Sequence, residues 1–191
     1  MRLILASKSP RRHELLALMG LRFEIAVCDA PELAPAGAGP EETVRALALQ
    51  KAAAIFDMHP QDCVVGADTL VFLDGLHFGK PNNVAEAKAF LRLLQGRSHR
   101  VLTGLAVLYP GGRDVRVCET EVTFAAMTDT EIDWYAATGE PMDKAGAYGV
   151  QGPGGMFVSA VNGSYHNVMG MPIYLLYAML RDAGLWERFI Q

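Results

Sequence analysis

Arg11 and Arg12 stand side by side in Leu5-Ala6-Ser7-Lys8-Ser9-Pro10-Arg11-Arg12, directly after an apolar run and in what reads as the first turn of a Pro-led helix. A helix start carries the positive end of the macrodipole and orphan backbone N–H groups, so acidic residues are the usual choice there. Two guanidinium groups at that place repel each other unless an anion sits between them, and phosphate is the natural candidate. The bland alternative, both arginines facing solvent, suits one arginine better than two behind Ser-x-Ser-Pro.

Asp68 is the next residue that could do chemistry. It interrupts the apolar run Cys63-Val64-Val65-Gly66-Ala67-Asp68-Thr69-Leu70-Val71-Phe72-Leu73. A carboxylate there is either paired with a cation or used, because burying it alone is costly. Small neighbours on its N-terminal side, Gly66 and Ala67, would leave room for a ligand to approach the backbone. Lys51, Lys80 and Lys144 are single lysines; with the two arginines they would make a set of positive charges around one polyphosphate. Gly149-Val150-Gln151-Gly152-Pro153-Gly154-Gly155 lacks the GK[ST] ending of a Walker loop and opens no helix as a dinucleotide fingerprint does. It reads as a ligand-covering loop or a plain turn, in which Gln151 can offer a base edge both a donor and an acceptor. The five histidines show no ligand spacing, and no GxSxG points to a covalent hydrolase.

The elements that must position these residues follow from local pattern. Leu3 to Ala6 reads as a short buried strand, with Ser9 as N-cap and Pro10 at the first helical position. Leu15, Leu16, Leu18 and Met19 make an apolar face and Gly20 fits the C-terminal stop of that helix. Phe23 to Val27 reads as a second strand, the Ala/Gly/Pro-rich stretch 34–40 as a loop, and Glu41 to about Phe56 as a helix with Val44, Leu47 and Ile55 inside. Cys63 to Leu73 reads as a strand broken at Gly-Ala-Asp-Thr. Asn83 and Glu86 have capping-box spacing before a helix from Val84 to Leu94, as do Thr128 and Glu131 before another that Gly139 ends. Val101 to Leu108 and Val115 to Phe124 flank a turn at Pro110-Gly111-Gly112, and a last helix spans about Pro172 to Ala183. Strands and helices mix without strict βαβ alternation, which predicts a mixed α/β sheet flanked by helices.

The 191 residues fit one domain, or one domain of two lobes around a cleft, and 51% apolar residues suffice for a core. A net charge of −4, spread along the chain, argues against a general nucleic-acid binder but allows a small anionic ligand. Cys28, Cys63 and Cys118 form no CxxC and read as buried small apolar residues. The apolar stretch before Ser7 is too short for a signal-peptide core and no run approaches a membrane span, so the expected location is the cytoplasm.

Together these motifs resemble the Maf family of nucleoside triphosphate pyrophosphatases. The resemblance rests on the stretch from Leu5 to Leu16, Val65-Gly66-Ala67-Asp68-Thr69, Gly79-Lys80-Pro81, Gly96 with His99, Thr103-Gly104, the run Asp143 to Gly152, and Gly163 to Pro172, all in family order. It implies a Maf/ITPase-like mixed α/β fold over residues 1–191, two lobes around a central cleft and a homodimer. It further implies hydrolysis of a nucleoside triphosphate between the α and β phosphates with Mg²⁺ or Mn²⁺. By that resemblance Asp68 is the proton acceptor or the metal holder, while Ser7, Arg12, Lys51 and Lys80 bind phosphates. Glu32 falls at an acidic position near the metal, although Pro31 replaces the commoner acidic neighbour. Arg11, Thr69 and Gln151 occupy the three specificity positions of the dTTP/UTP-preferring branch, where the 7-methyl-GTP branch tends to carry Trp, Gln and Glu. The nucleotide is then the partner, with no nucleic acid and no membrane. The rival expectations are a 7-methyl-GTP pyrophosphatase, a wider pyrimidine range including CTP, and a nucleotide-binding regulator of septum formation.

Overall fold

The computed structural model describes residues 1–28 and 33–190. Among these residues the strands are β1 (Leu3–Ala6), β2 (Glu24–Ile25), β3 (Cys63–Leu73), β4 (Leu76–Phe78), β5 (Ser98–Tyr109), β6 (Gly112–Phe124) and β7 (Val158–Asn162). The α-helices are α1 (Pro10–Leu18), α2 (Pro40–Phe56), α3 (Val84–Leu94), α4 (Asp129–Ala137), α5 (Tyr165–Val168), α6 (Ile173–Asp182) and α7 (Trp186–Phe189). One seven-stranded sheet runs in the order β2-β1-β3-β5-β6-β7, and β4 pairs with β3 off that path. Parallel pairing of β1 with β2 and β3 coexists with antiparallel pairing of β3 with β4 and β6 with β7. The sheet is therefore mixed and flanked by helices, the fold class expected from the sequence. No described helix is long and apolar enough to cross a membrane.

Two compact units divide the chain, the first made of Met1–Asp68, Thr103–Cys118 and the stretch from Gly170, the second of Thr69–Leu102 and Glu119–Met169. In the first, Ile4 and Ala6 of β1, Val64 of β3 and Ala106 and Leu108 of β5 pack on Ala48, Ala52 and Ile55 of α2. The contact is a close one because small residues meet. A Cβ on Gly66 would lie 2.5 Å from the Ala48 carbonyl oxygen and 2.7 Å from the Ala52 nitrogen, and one on Gly104 would collide with the backbone of Val44. The space at Gly66 is thus filled by α2 and not left for a ligand, contrary to the expectation from its small size.

In the second unit, α3 and α4 cover a core of larger side chains, among them Phe78, Leu91, Leu94, Phe124, Ile132, Tyr135, Tyr148 and Phe157. Thr128 and Glu131 form a complete capping box on α4. At α3, Asn83 accepts from the Glu86 N–H, but the Glu86 carboxylate turns to Asn82 instead of closing the box. Asp74 and Gly75, both at positive φ, make the two-residue turn between β3 and β4.

Three further expectations need correction. β3 is continuous across Gly-Ala-Asp-Thr. The second strand shrinks to Glu24–Ile25, because only Ile4 and Leu5 of the four-residue β1 are registered with it and its own residues stay exposed. Of the cysteines only Cys63 is buried, where burial pushes its thiol up to about 12, while Cys28 is exposed.

Candidate functional site

The parallel register of β1 and β3 sets the first part of the site. Leu3 to Ala6 pair in step with Cys63 to Gly66, so Ser7 and Asp68 follow just beyond the last registered pair in the same direction. The carboxyl ends of parallel strands are where open α/β sheets bind ligands. Ser7 is buried, and its hydroxyl accepts from the Ser9 N–H at 3.1 Å while its carbonyl meets His13 Nε2 at 2.7 Å. Ser9 occupies the N-cap of α1 as expected but makes no side-chain cap bond, so the turn is held by Ser7 and His13. This fold of the chain brings Arg11 and Arg12 into the first turn of α1, which holds no acidic residue. Arg12 Nε donates to the Gly170 carbonyl at 2.8 Å, fixing the guanidinium.

Helix α2 supplies the partner of Asp68. Its close seat on Gly66 and Gly104 brings Lys51 Nζ to 2.6 Å from Asp68 Oδ1, and both side chains are largely shielded, at 21% and 14% exposure. Of the two readings open for Asp68 in the sequence, the structure shows the pairing: it is bonded to a cation in the middle of β3, just beyond the stretch registered with β1. One residue before Lys51, Gln50 grips the backbone of Leu33, accepting from its N–H at 3.1 Å and donating to its carbonyl at 2.7 Å. Glu32, the expected acidic residue near a metal, lies outside the described residues. Among the described residues no group of three or more His, Cys, Asp or Glu side chains is arranged to hold a metal ion. Mg²⁺ is commonly held by one or two carboxylates plus substrate phosphates. Among the described residues the Asp68 carboxylate beside Lys51 would fit a metal whose other ligands a bound phosphate supplies.

The remaining expected site residues belong to the second unit. Lys80 is exposed directly after β4, and the carbonyl of its neighbour Gly79 accepts from the Gly146 N–H at 3.1 Å. Thr69 follows Asp68 on β3, and Gln151 is exposed between Gly149 and Gly152. Lys144, by contrast, is a brace. Its ammonium donates to the Glu140 carbonyl at 2.8 Å and the Asp143 carboxylate at 2.7 Å. Sequence reasoning missed Glu140, Tyr135 and Gln50, whose partners are backbone groups distant in sequence. The histidines are structural where they are bonded. His99 is buried, reaches the Tyr148 hydroxyl at 2.8 Å through Nε2, and is depressed to about 4 by burial.

Known proteins resemble this chain along nearly its whole length. A dTTP/UTP pyrophosphatase of Bacillus mycoides (strain KBAB4) is 47% identical over 181 residues, 95% of each chain. A protein of the same name from Geobacillus sp. (strain WCH70) is 48% identical over 171 residues, 90% of this chain and 92% of its own. The Staphylococcus aureus Ham1 protein shares the fold, with a TM-score of 0.56 at 14% identity over 96% of this chain and 100% of that one. The family model described as "Maf-like protein" matches residues 2–183. Its span takes in the Ser7–Arg12 turn, the Lys51–Asp68 pair, Lys80 and Gln151 alike, and the chain belongs to the Maf family.

Proposed function

We propose that residues 1–191 form a nucleoside triphosphate pyrophosphatase that hydrolyses dTTP and UTP to the monophosphate and pyrophosphate. The observation that carries this reading is the Lys51–Asp68 pair, 2.6 Å apart, on β3 just beyond its register with β1, whose end leads into Ser7 and the Arg11-Arg12 helix start. The names of the relatives support the choice of substrate. In this reading Ser7, Arg12, Lys51 and Lys80 bind the triphosphate and offset the charge that gathers on the leaving pyrophosphate. A divalent cation, Mg²⁺ or Mn²⁺, held by Asp68 with substrate oxygens and by Glu32, would add charge neutralisation to that of the side chains. Asp68 takes the proton of the water that attacks the α-phosphorus, with Lys51 fixing the orientation of the carboxylate. Arg12, tied to Gly170, is the phosphate clamp common to every nucleotide, and Arg11, Thr69 and Gln151 select the base. The enzyme acts in the cytoplasm as a homodimer.

The test is pyrophosphate release from dTTP, UTP, CTP, ATP and 7-methyl-GTP, each with Mg²⁺, with Mn²⁺ and with chelator. Preference for dTTP and UTP, lost on chelation, is the expected result. A clear preference for 7-methyl-GTP would overturn the substrate assignment, and full activity in chelator would overturn the metal.

A further inference from the structure

Gln151 is exposed on a stretch where Gly149, Gly152, Gly154 and Gly155 surround it. Glycine contributes no side chain to hold a loop and gives the backbone the most freedom to lose, so Gln151 can read a base only if something outside the loop fixes it. That support comes from beneath, from Glu140 and Tyr135. The Gly154 N–H donates to Glu140 Oε2 at 3.0 Å on one side of Gln151. On the other side the Gly149 N–H donates to the Tyr135 hydroxyl at 3.1 Å. Each flank of Gln151 therefore hangs on a side chain outside the loop, Glu140 at Gly154 and Tyr135 at Gly149.

The glycines record how closely the loop lies on this pair. A Cβ on Gly152 would collide with the Glu140 carboxylate, one on Gly154 with the Tyr135 hydroxyl, and one on Gly149 would come within 2.6 Å of Lys144 Cε and 2.9 Å of Glu140 Oε1. The pair is itself held: Lys144 bonds the Glu140 carbonyl, and the buried Tyr135 packs its ring 5.7 Å from that of Phe157.

We propose that Glu140 is a positioning residue for nucleotide selection, setting the place of Gln151 through its hydrogen bond from the Gly154 N–H and its close approach to Gly152. The proposal rests on the reading of Gln151 as a base-selecting residue. Its test compares kcat and KM for dTTP and CTP in the intact protein carrying Glu140→Ala, Glu140→Gln, Gln151→Ala or the Glu140→Ala/Gln151→Ala pair, with Tm measured throughout.

Gln151→Ala should lower the preference for dTTP over CTP by about tenfold, the scale of one good hydrogen bond. Glu140→Ala should lower it comparably, through a higher KM for dTTP with kcat nearly retained, and should add nothing once Gln151 is gone. Glu140→Gln keeps an acceptor for the Gly154 N–H but an uncharged, weaker one, so it should fall between; it carries the comparison if Glu140→Ala does not fold. If Gln151→Ala lowers the preference and the Glu140 variants leave it unchanged, the positioning role is overturned while the base-selecting role stands. If Gln151→Ala leaves the preference unchanged, the base-selecting role fails and the positioning role falls with it. A Glu140 effect that persists undiminished in the double variant also overturns the proposal, because it acts by another route.

Discussion

Asp68 is held by Lys51 through a bond that an amide could also accept. Replacing it by Asn keeps the size of the side chain and leaves an oxygen for the Lys51 ammonium, so the pair loses its charge attraction but not its geometry. What the amide cannot do is take a proton or hold a divalent cation as a carboxylate does. Asp68→Asn is therefore expected to fold normally, seen as an unchanged far-UV circular dichroism spectrum and a Tm within a few degrees. Its kcat for dTTP should fall by roughly a hundred- to ten-thousand-fold, the usual range for loss of an acid–base group. Activity near that of the wild type would remove Asp68 from the chemistry. The same residue shows what sequence alone conveys at this scale. A carboxylate in an apolar strand announces that it is paired or used, yet its cation could not be chosen among Lys51, Lys80 and Lys144, because which lysine reaches it depends on where α2 sits. Glu140 was silent for a related reason: nothing in its local pattern marks a carboxylate whose partner is the backbone N–H of Gly154, in a loop further along.

At the scale of elements, α2 is an arm that delivers Lys51. Its distance from the sheet is set by Gly66 and Gly104, where the helix backbone replaces missing side chains. Adding one methyl at Gly66 would place it 2.5 Å from the Ala48 carbonyl, and two backbones cannot both hold their positions. Gly66→Ala should cost about 1 to 3 kcal/mol of stability, as overpacking does. It should also lower kcat by displacing Lys51 from Asp68, with urea unfolding and dTTP hydrolysis as the two readouts. A variant destabilised but fully active would show that the height of α2 does not matter to the site. Elements with strong local signals were legible in advance: α2 between its acidic start and Phe56, α4 behind its capping box, and β1 as a four-residue apolar run. The hairpin at Asp74-Gly75 was passed over although Asp-Gly between strand-like runs is a hairpin signal. β2 is shorter than its run of strand-like residues suggests because only Glu24 and Ile25 pair with β1 and both stay exposed. The contact of Gly66 with α2 was invisible, since a glycine in a strand marks close approach without saying of what.

Across the whole molecule, the two units carry cores of different kinds, aliphatic and alanine-rich in the first and aromatic in the second. Only the second encloses a buried histidine. His99, 2% exposed, lies edge-on to Phe124 and Tyr148 and bonds the Tyr148 hydroxyl, while its Nδ1 has no partner. Burial favours the neutral ring and lowers its pKa from 6.5 to about 4. Because the unfolded chain binds this proton and the folded chain does not, the stability due to the neutral ring is complete above pH 6.5. It is lost progressively as the pH falls from 6.5 toward 4. The full shift corresponds to about 3 kcal/mol, a sizeable share of the stability of an ordinary domain. Urea unfolding between pH 7.5 and 4.5 should show that decline in the wild type. His99→Gln offers the Tyr148 hydroxyl an amide and cannot titrate, so its stability, whatever its value at pH 7.5, should fall less steeply over the same interval. Equal slopes in the two proteins would mean that His99 charges within the fold at little cost, and that the closed aromatic core around it admits water.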